Sequence, residues 1–517
     1  MLKEWGNSKL LVNLSVALLF LLFASVVTWP LLISPDPHDH ADTLFNTWLI
    51  HWNNFAIFSG NNPVNQPIFE GFQDADGRND FLLAQSTVAI PFQLLGVNPI
   101  RTHNLLLVLS LAFAGYAMFI LAGELKVSIW GRLFAGAVTI FLPYFQSHLW
   151  HLQLFSIGFS ILALLYALRL LEDKSKLKSN GLMLGLFILL QCLSSLYFWY
   201  FLNLSLVILI ITQVVRKKTK LLPNFLLWWF LGNIISTIFL LNHLASSTQW
   251  SVDTITSTDL TAFIAPWQSS YLLSWMRTEF VHPEAALWPG ISVITGFIWF
   301  FFSKQKENYY KYFFVLIIFF SLFSLGPTLV VFGKPIAPAP FRFFSILPGC
   351  SSIRLPARAA IFALIPMILL AGKALGKKPV AAIAGIVLSA LTVFHPPVAT
   401  TRVAIFPYTE WLKEQNIERI LYLPISYDIR RPEIETQRMF SSISHFTPSI
   451  NGYSTTLPEQ YVSYADILNS WPSEEAKTLI TELNIDCLVL ENCEVETSDT
   501  IFTDNRVHFS VFLVKNN

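Results

Sequence analysis

Three carboxylates and two histidines crowd into one short stretch, Asp36-Pro37-His38-Asp39-His40-Ala41-Asp42. It follows directly on an apolar run, residues 10–33, and leads into Thr43-Leu44-Phe45-Asn46-Thr47-Trp48. A carboxylate fixed at the end of a membrane span can act as a general base on an acceptor hydroxyl. His38, His40 and Asp39 together offer imidazole and carboxylate to a divalent metal. Asp42, immediately ahead of Thr43-Leu44-Phe45, also suits the N-cap of a helix, whose first amides need an acceptor. Asp80 is a second acid, placed before another apolar stretch, residues 81–95. Arg354 and Arg358 flank Leu355-Pro356-Ala357, and paired guanidinium groups can hold phosphate bidentately. The alternatives are anchoring of lipid headgroups or pairing with the acids of residues 34–102, and phosphate is favoured because cytoplasmic lysines already supply the anchoring. His148 and His151, next to Phe145 and Trp150, are a weaker pair, because histidines among aromatic residues are more often structural.

The elements that must position these groups are membrane helices. Of 517 residues, 54% are hydrophobic and 13% charged, against roughly 25% charged in soluble domains. Taking about 20 apolar residues as one crossing, the chain contains eleven spans: 10–33, 103–123, 129–146, 153–171, 181–196, 198–215, 222–242, 286–303, 311–332, 357–373 and 379–396. Cations fall at alternate connections: Lys3 and Lys9; Lys126 and Arg132; Arg169 to Lys178, including Lys174; Arg216 to Lys220; Lys304, Lys306 and Lys311; Lys373 to Lys378. Positive-inside sorting then puts the N-terminus in the cytoplasm and the C-terminus outside. Merging the fifth and sixth spans, separated by Ser194 and Ser195, would break that pattern. The outer connections are long and carry the ionisable groups, among them Asp74, Asp76, Asp253, Asp259, Arg277, His282 and Glu284. Long loops of that kind carry function more often than short ones. A net charge of +1 gives no field suited to nucleic acid.

Within the first outer loop, Leu44, Phe45, Trp48, Leu49, Trp52 and Phe55 recur at helical spacing. That predicts an amphipathic helix lying in the interface, with its tryptophans at headgroup depth. Residues 81–95 read as a second interfacial or re-entrant piece. From residue 399 the composition becomes that of a soluble domain. Helices are expected over 407–415, 458–470 and 473–484, and strands over 419–424, 485–490 and 509–514. The expected division is a transmembrane domain, residues 1–398 with the 34–102 loop inside it, and a small outer α/β domain, residues 399–517. Cys487 and Cys493 could pair in an exported domain, but Cys487 lies in an apolar strand-like run and reads as an ordinary thiol.

Taken together, the stretches Asp42-Thr43-Leu44-Phe45-Asn46-Thr47-Trp48, Pro67 to Asp80, Gly96 to Pro99, His151 to Gln153, Ser257 to Leu260, Arg354 to Arg358 and Asn451-Gly452-Tyr453-Ser454 resemble the GT-C superfamily of membrane glycosyltransferases. The resemblance is to bacterial members with an extracytoplasmic C-terminal domain, in which Asn-Gly-Tyr-Ser is a signature. Asp80 stands where such proteins often have glutamate, and His38-Asp39-His40 is extra. The resemblance implies an enzyme of the cell membrane. It would move a sugar from a polyprenyl-phosphate carrier to a glycan, lipid or protein acceptor on the outer face, by one inverting displacement. Asp42 or Asp80 would be the base, and Arg354, Arg358, His148 and His151 would hold the carrier phosphate. Asp39, Trp48, Glu284, Asn451 and Tyr453 are the substrate-contacting candidates, and dependence on a divalent metal is left open. The rival classes are a lipid or glycan transporter, for which internal repeats and mid-membrane charges are wanting, and a non-catalytic assembly protein.

Overall fold

The computed structural model describes residues 2–517 except 73–79, 173–174, 247–250, 253, 267–269, 271–272, 277, 304–308, 404, 407, 429–430, 455, 492–499, 505–508 and 514–517. Of the residues named above, Asp74, Asp76, Lys174, Asp253, Arg277, Lys304, Lys306 and Cys493 lie outside the described residues. Two compact units emerge, and neither is continuous in sequence. Met1–Ile33, Asn104–Ile238 and Gln249–Val398 form the first; Ser34–His103, Phe239–Thr248 and Ala399–Asn517 form the second.

The first unit is a helical bundle. Six helices of the described chain are long and apolar enough to cross a membrane: Leu10–Val27, Pro99–Glu124, Leu152–Glu172, Leu196–Val215, Leu222–Leu241 and Pro356–Leu375. Four shorter apolar helices, Leu177–Cys192, Ile291–Phe302, Tyr310–Ser324 and Pro379–Thr392, accompany them, as does Ile129–Ile140. Each of the eleven expected spans therefore contains an apolar helix, and the third also takes in the short helix Pro143–Gln146. The break at Ser194 and Ser195 separates two helices, as the charge pattern requires. The ninth span is shorter than expected. Its helix stops at Ser324, and Thr328–Val331 (β1) and Lys334–Pro338 (β2) form an antiparallel hairpin. Gly326, at φ +74°, turns the chain where a Cβ would meet the Thr256 carbonyl oxygen at 2.3 Å. The centre of the bundle is Ile361–Leu375, nearly all of it buried. It approaches Ile129–Ile140 so closely that a Cβ on Gly131 would lie 2.2 Å from the Gly372 carbonyl oxygen. That contact fixes the helix whose leading turn, the 3-10 segment Pro356–Ala360, carries Arg358.

The second unit is built on a four-stranded mixed sheet in the order β3-β4-β6-β5: Ile420–Leu423 (β3), Cys487–Glu491 (β4), Thr500–Asp504 (β5) and Phe509–Leu513 (β6). β3 and β4 are parallel, and the other pairs are antiparallel. Tyr408, Leu412, Ile420, Tyr422, Cys487, Val489 and Val511 make its core. The expected strands and the helices Tyr408–Glu414, Tyr461–Leu468 and Glu474–Glu482 are present, the last capped by the Ser473 hydroxyl on the Ala476 amide. Helix Glu433–Ser441 and strand β5 are additional.

The loop placed with the transmembrane domain from the sequence belongs to this second unit, and the backbone shows why. Residues 448–451 run along the free edge of β3, with Ile420 N donating to Pro448 O (2.9 Å) and Ile450 N to Ile420 O (3.0 Å). Residues 67–70 then pair with the far side of that segment, through Ser449 N to Pro67 O (3.1 Å), Glu70 N to Ser449 O (2.9 Å) and Phe69 N to Asn451 O (3.3 Å). The loop thus extends the sheet and covers its edge.

Helix Asp42–Phe58 forms where the spacing predicted it, but it is buried on nearly every face and is not amphipathic. Trp48 has no exposed surface. Its indole N–H donates to Ser442 Oγ (3.0 Å), and that of Trp52 donates to Pro63 O (3.0 Å). Phe446 packs against both indoles. Leu44, Ile100 and Phe440 continue this core. Trp48 is therefore a packing residue of this unit, with no face left for a substrate.

Candidate functional site

In the second unit the candidate acids sit at the start of helix Asp42–Phe58. The N-cap is Ala41, and its side chain caps nothing. The capping acceptor is Asp39, whose Oδ2 receives the amides of Ala41 (3.0 Å) and Thr43 (3.2 Å). Burial raises the Asp39 carboxyl above its ordinary range, and these amide bonds work against that rise. The division of labour differs from the sequence expectation: the amides at the head of the helix go to Asp39. Asp42 is half-buried at the first helical position, where the free amides and the helix dipole favour a negative charge. The hydroxyl of Tyr453 donates to its Oδ1 over 3.5 Å, and the Tyr453 ring meets Phe45 edge to face at 5.5 Å.

Asn451 sets the course of the segment that ends in Tyr453. Its Oδ1 accepts the Tyr422 amide (2.8 Å), and its Nδ2 donates to the Tyr422 carbonyl (3.0 Å) and to Glu435 Oε1 (3.3 Å). One side chain thus takes the place of a neighbouring strand residue along β3. Gly452 follows, and a Cβ there would lie 2.9 Å from that of Ile68. The Asn-Gly-Tyr-Ser motif is thus a clamp joining β3, the 67–70 segment and the head of the Asp42 helix. Asn451 is buried and fully engaged with protein groups, so it orders the site without touching a substrate.

Beside this clamp lies a charge cluster that the sequence did not disclose. Arg438, buried, donates to Glu435 Oε1 (2.8 Å), to Glu491 Oε2 (2.6 Å) and to the Pro424 carbonyl (3.0 Å). Two carboxylates share one guanidinium there, and burial raises Glu435 above the usual carboxyl range despite Arg438. The only sequence signal is Glu435 and Arg438 at a spacing of three, which on most helices marks a solvated face.

The first unit contains a second constellation, gathered from three distant stretches. His148 and His151 occupy successive turns between Pro143–Gln146 and Leu152–Phe155. Glu284 lies in the 3-10 turn Pro283–Ala285, and Arg358 in Pro356–Ala360. Ala262, Ala265, Val281, Ala285, Leu287, Ala357 and Ala360 pack together and hold the last two turns side by side. Arg358 grips Glu284 with Nε to Oε2 (2.8 Å) and Nη2 to Oε1 (2.9 Å). His148 Nε2 lies 3.1 Å from Oε2 and His151 Nε2 2.8 Å from Oε1. The Tyr197 ring covers the guanidinium at 5.2 Å, and the Tyr144 hydroxyl donates to the Arg358 carbonyl (3.3 Å). Burial pushes the Glu284 carboxyl up, but Arg358 and the two histidines outweigh it and hold it well below the usual range. Glu284 is therefore an ionised partner of Arg358. The pairing of these two residues was not visible in the sequence, where they lie 74 positions apart.

Arg354 is half-buried, and its carbonyl accepts the amide and hydroxyl of Thr256 (both 3.0 Å). Asp80 is half-buried and precedes Phe81, whose carbonyl accepts Asn53 Nδ2 (2.7 Å). Asp259 is structural: its carboxylate takes the Thr261 amide and hydroxyl (2.8 and 2.7 Å) and the Gly333 amide (2.7 Å). His40 Nε2 lies 3.2 Å from the Thr401 carbonyl oxygen, and Asp39 is spent on amides. Among the described residues no three His, Cys, Asp or Glu side chains gather to hold a metal ion, so His38, Asp39 and His40 do not form the ligand set considered above.

No family model matches this chain, and no curated protein matches it. Its fold does match solved structures. The arabinofuranosyltransferase AftD from Mycobacteria, determined by single-particle cryo-electron microscopy, aligns with a TM-score of 0.59 at 15% identity, over 98% of this chain and 40% of its own. Two structures of a mutant of that protein give 0.60 at 13% and 14% identity, over 98% of this chain and 41% of theirs. At such identities the likeness is one of fold, and this chain spans about two fifths of its neighbour's length. The helical membrane-type bundle with a small sheet near the C-terminus expected from the sequence is the architecture found.

Proposed function

We propose that this protein is a membrane glycosyltransferase that moves a sugar from a polyprenyl-phosphate carrier to an acceptor on the outer face of the cell membrane. The observation that carries this reading is the fold shared with a sugar transferase over 98% of the chain, in a protein whose Asp39 accepts the helix-capping amides and whose Asp42 receives the Tyr453 hydroxyl. Asp42 takes the proton of the acceptor hydroxyl. The acceptor oxygen then attacks the anomeric carbon, and the bond from that carbon to the phosphate oxygen breaks. Its electron pair stays on the phosphate, leaving polyprenyl phosphate. One displacement inverts the anomeric centre, by the logic of single-step glycosidases. Tyr453 orients the Asp42 carboxylate. In the bundle, Arg354 and Arg358 are the cations suited to a carrier phosphate. The alternating cations support an orientation with the N-terminus in the cytoplasm and the C-terminus outside.

The test is to supply purified protein with a panel of labelled polyprenyl-phosphate sugars and mixed glycan, lipid and protein acceptors. A glycoside of inverted configuration, with polyprenyl phosphate released in equal amount, is the expected result. Movement of the intact lipid-linked sugar across proteoliposomes, without any glycoside formed, would assign the protein to transport instead.

A further inference from the structure

The Glu284 carboxylate has about four lone-pair positions, and four nitrogens face it: Arg358 Nε and Nη2, His148 Nε2 and His151 Nε2. Arg358 Nη2 also lies 3.0 Å from His151 Nε2; in the tautomer in which each nitrogen donates to the carboxylate, no lone pair is left to take a proton from a substrate or to accept a sugar hydroxyl. Arg358, conversely, is only partly used. Nε is committed to Glu284 and Nη2 to Glu284 and His151, and among the described residues Nη1 meets no hydrogen-bond partner. Its side chain is 8% exposed, so one edge of a rigid fork stays within reach of the surface.

We propose that Glu284, backed by His148 and His151, is a positioning residue for Arg358, and that the remaining Nη1 edge of Arg358 is presented to one oxygen of a phosphate-type anion. The proposal rests on the transferase reading above for the identity of that anion as a lipid-carrier phosphate.

The two histidines set the charge of the arrangement. Glu284 and Arg358 cancel. His148 Nδ1 lies 2.6 Å from the Tyr144 carbonyl and 2.9 Å from Ser147 Oγ, while its Nε2 faces the carboxylate. A carbonyl and a carboxylate both demand a donor, so every contact of this ring is satisfied only when both nitrogens carry hydrogen. The groups facing it are Tyr144 and Ser147 on its own segment, His151 on the next turn, Glu284 and Arg358. Burial outweighs the pull of Glu284, and His151 and Arg358 add to it, so His148 lies below its ordinary range and protonates on the acid side of it. Protonation turns a neutral cluster into a cationic one, so anion affinity rises as pH falls.

Binding of farnesyl phosphate to the full-length protein in detergent micelles tests this, with farnesol and inorganic phosphate as separate arms and pH varied from 5.5 to 8. Wild type is expected to prefer farnesyl phosphate to farnesol and to bind it more tightly at low pH. Preference for inorganic phosphate over farnesyl phosphate would assign the edge to a free anion. Glu284→Gln should lose about ten-fold, the worth of one charge-assisted hydrogen bond, and Glu284→Asp should recover part of it. His148→Gln should keep the affinity measured at pH 8 and lose its rise toward pH 5.5. Thermal unfolding of each variant separates misfolding from mispositioning, and His148→Gln provides the second readout should Glu284→Gln not fold. Wild-type affinity in Glu284→Gln, or an unchanged pH profile in His148→Gln, overturns the positioning role. Wild-type affinity in Arg358→Gln overturns phosphate binding at this edge itself.

Discussion

Replacing Asn451 by alanine probes the clamp directly. The side chain makes three hydrogen bonds inside a buried region: two to the Tyr422 backbone and one to Glu435. Alanine leaves the Tyr422 amide and carbonyl without partners, and removes one donor from a carboxyl that burial already penalises. An unsatisfied buried polar group costs about 1–3 kcal/mol. Allowing for partial rescue by entering water, Asn451→Ala should destabilise the second unit by about 2–4 kcal/mol. Asn451→Asp should do more harm at neutral pH, because it sets a second carboxylate against Glu435 and against the Tyr422 carbonyl. That excess should shrink in acid: a carboxyl forced up by its surroundings costs nothing below its unfolded value and most once pH has risen through its folded one. The assay is denaturant unfolding of the purified protein in mild detergent, followed by tryptophan fluorescence, since Trp48 and Trp52 lie in the affected core. A change below about 0.5 kcal/mol for Asn451→Ala, the scale of an ordinary surface substitution, would refute the view that this motif is structural.

Three further outcomes follow from the packing. His445 is half-buried, and its surroundings push it down to about 4 from 6.5; the fold therefore favours its neutral form. Stability of the second unit should be complete above pH 6.5 and fall toward pH 4, by up to about 3 kcal/mol for a shift of that size; pH-dependent melting of wild type against His445→Gln measures the difference. Trp48→Ala should cost about 3–5 kcal/mol by opening a cavity, seen as a lower melting temperature. Gly131→Ala should cost at least about 1–3 kcal/mol, because its methyl group would sit 2.2 Å from the Gly372 carbonyl; protease resistance of the detergent-solubilised bundle reads this.

The bundle was legible because membrane spans announce themselves by composition and length, and Ser194 with Ser195 marked a break that the cations supported. Helix Asp42–Phe58 was legible by periodicity. Its environment was not, since an apolar stripe looks the same against lipid and against protein, and only the contacts of Trp48 with Ser442 and of Trp52 with Phe446 distinguish the two. The membership of residues 67–70 in the sheet rests on backbone pairing with residues 449–451, which no side-chain pattern encodes. Helix Glu433–Ser441 escaped because it buries Glu435 and Arg438, the reverse of the usual polar-out rule. In the second unit residue types pointed to Asp42, and in the first to Arg358, His148 and His151, but not to their partners: Tyr453 is 411 positions from Asp42 and Glu284 is 136 from His148. Only folding reveals which cation is spent on which acid.

Removal of the acceptor proton by Asp42 is the step on which the proposed transfer turns. Transfer from a polyprenyl-phosphate sugar should be measured at saturating donor for wild type, Asp42→Asn and Asp80→Asn, with folding of each verified by thermal melting. The account predicts a loss of at least about 100-fold in kcat for Asp42→Asn, the usual worth of a general base, and a smaller loss for Asp80→Asn. Wild-type turnover by a folded Asp42→Asn protein would contradict it.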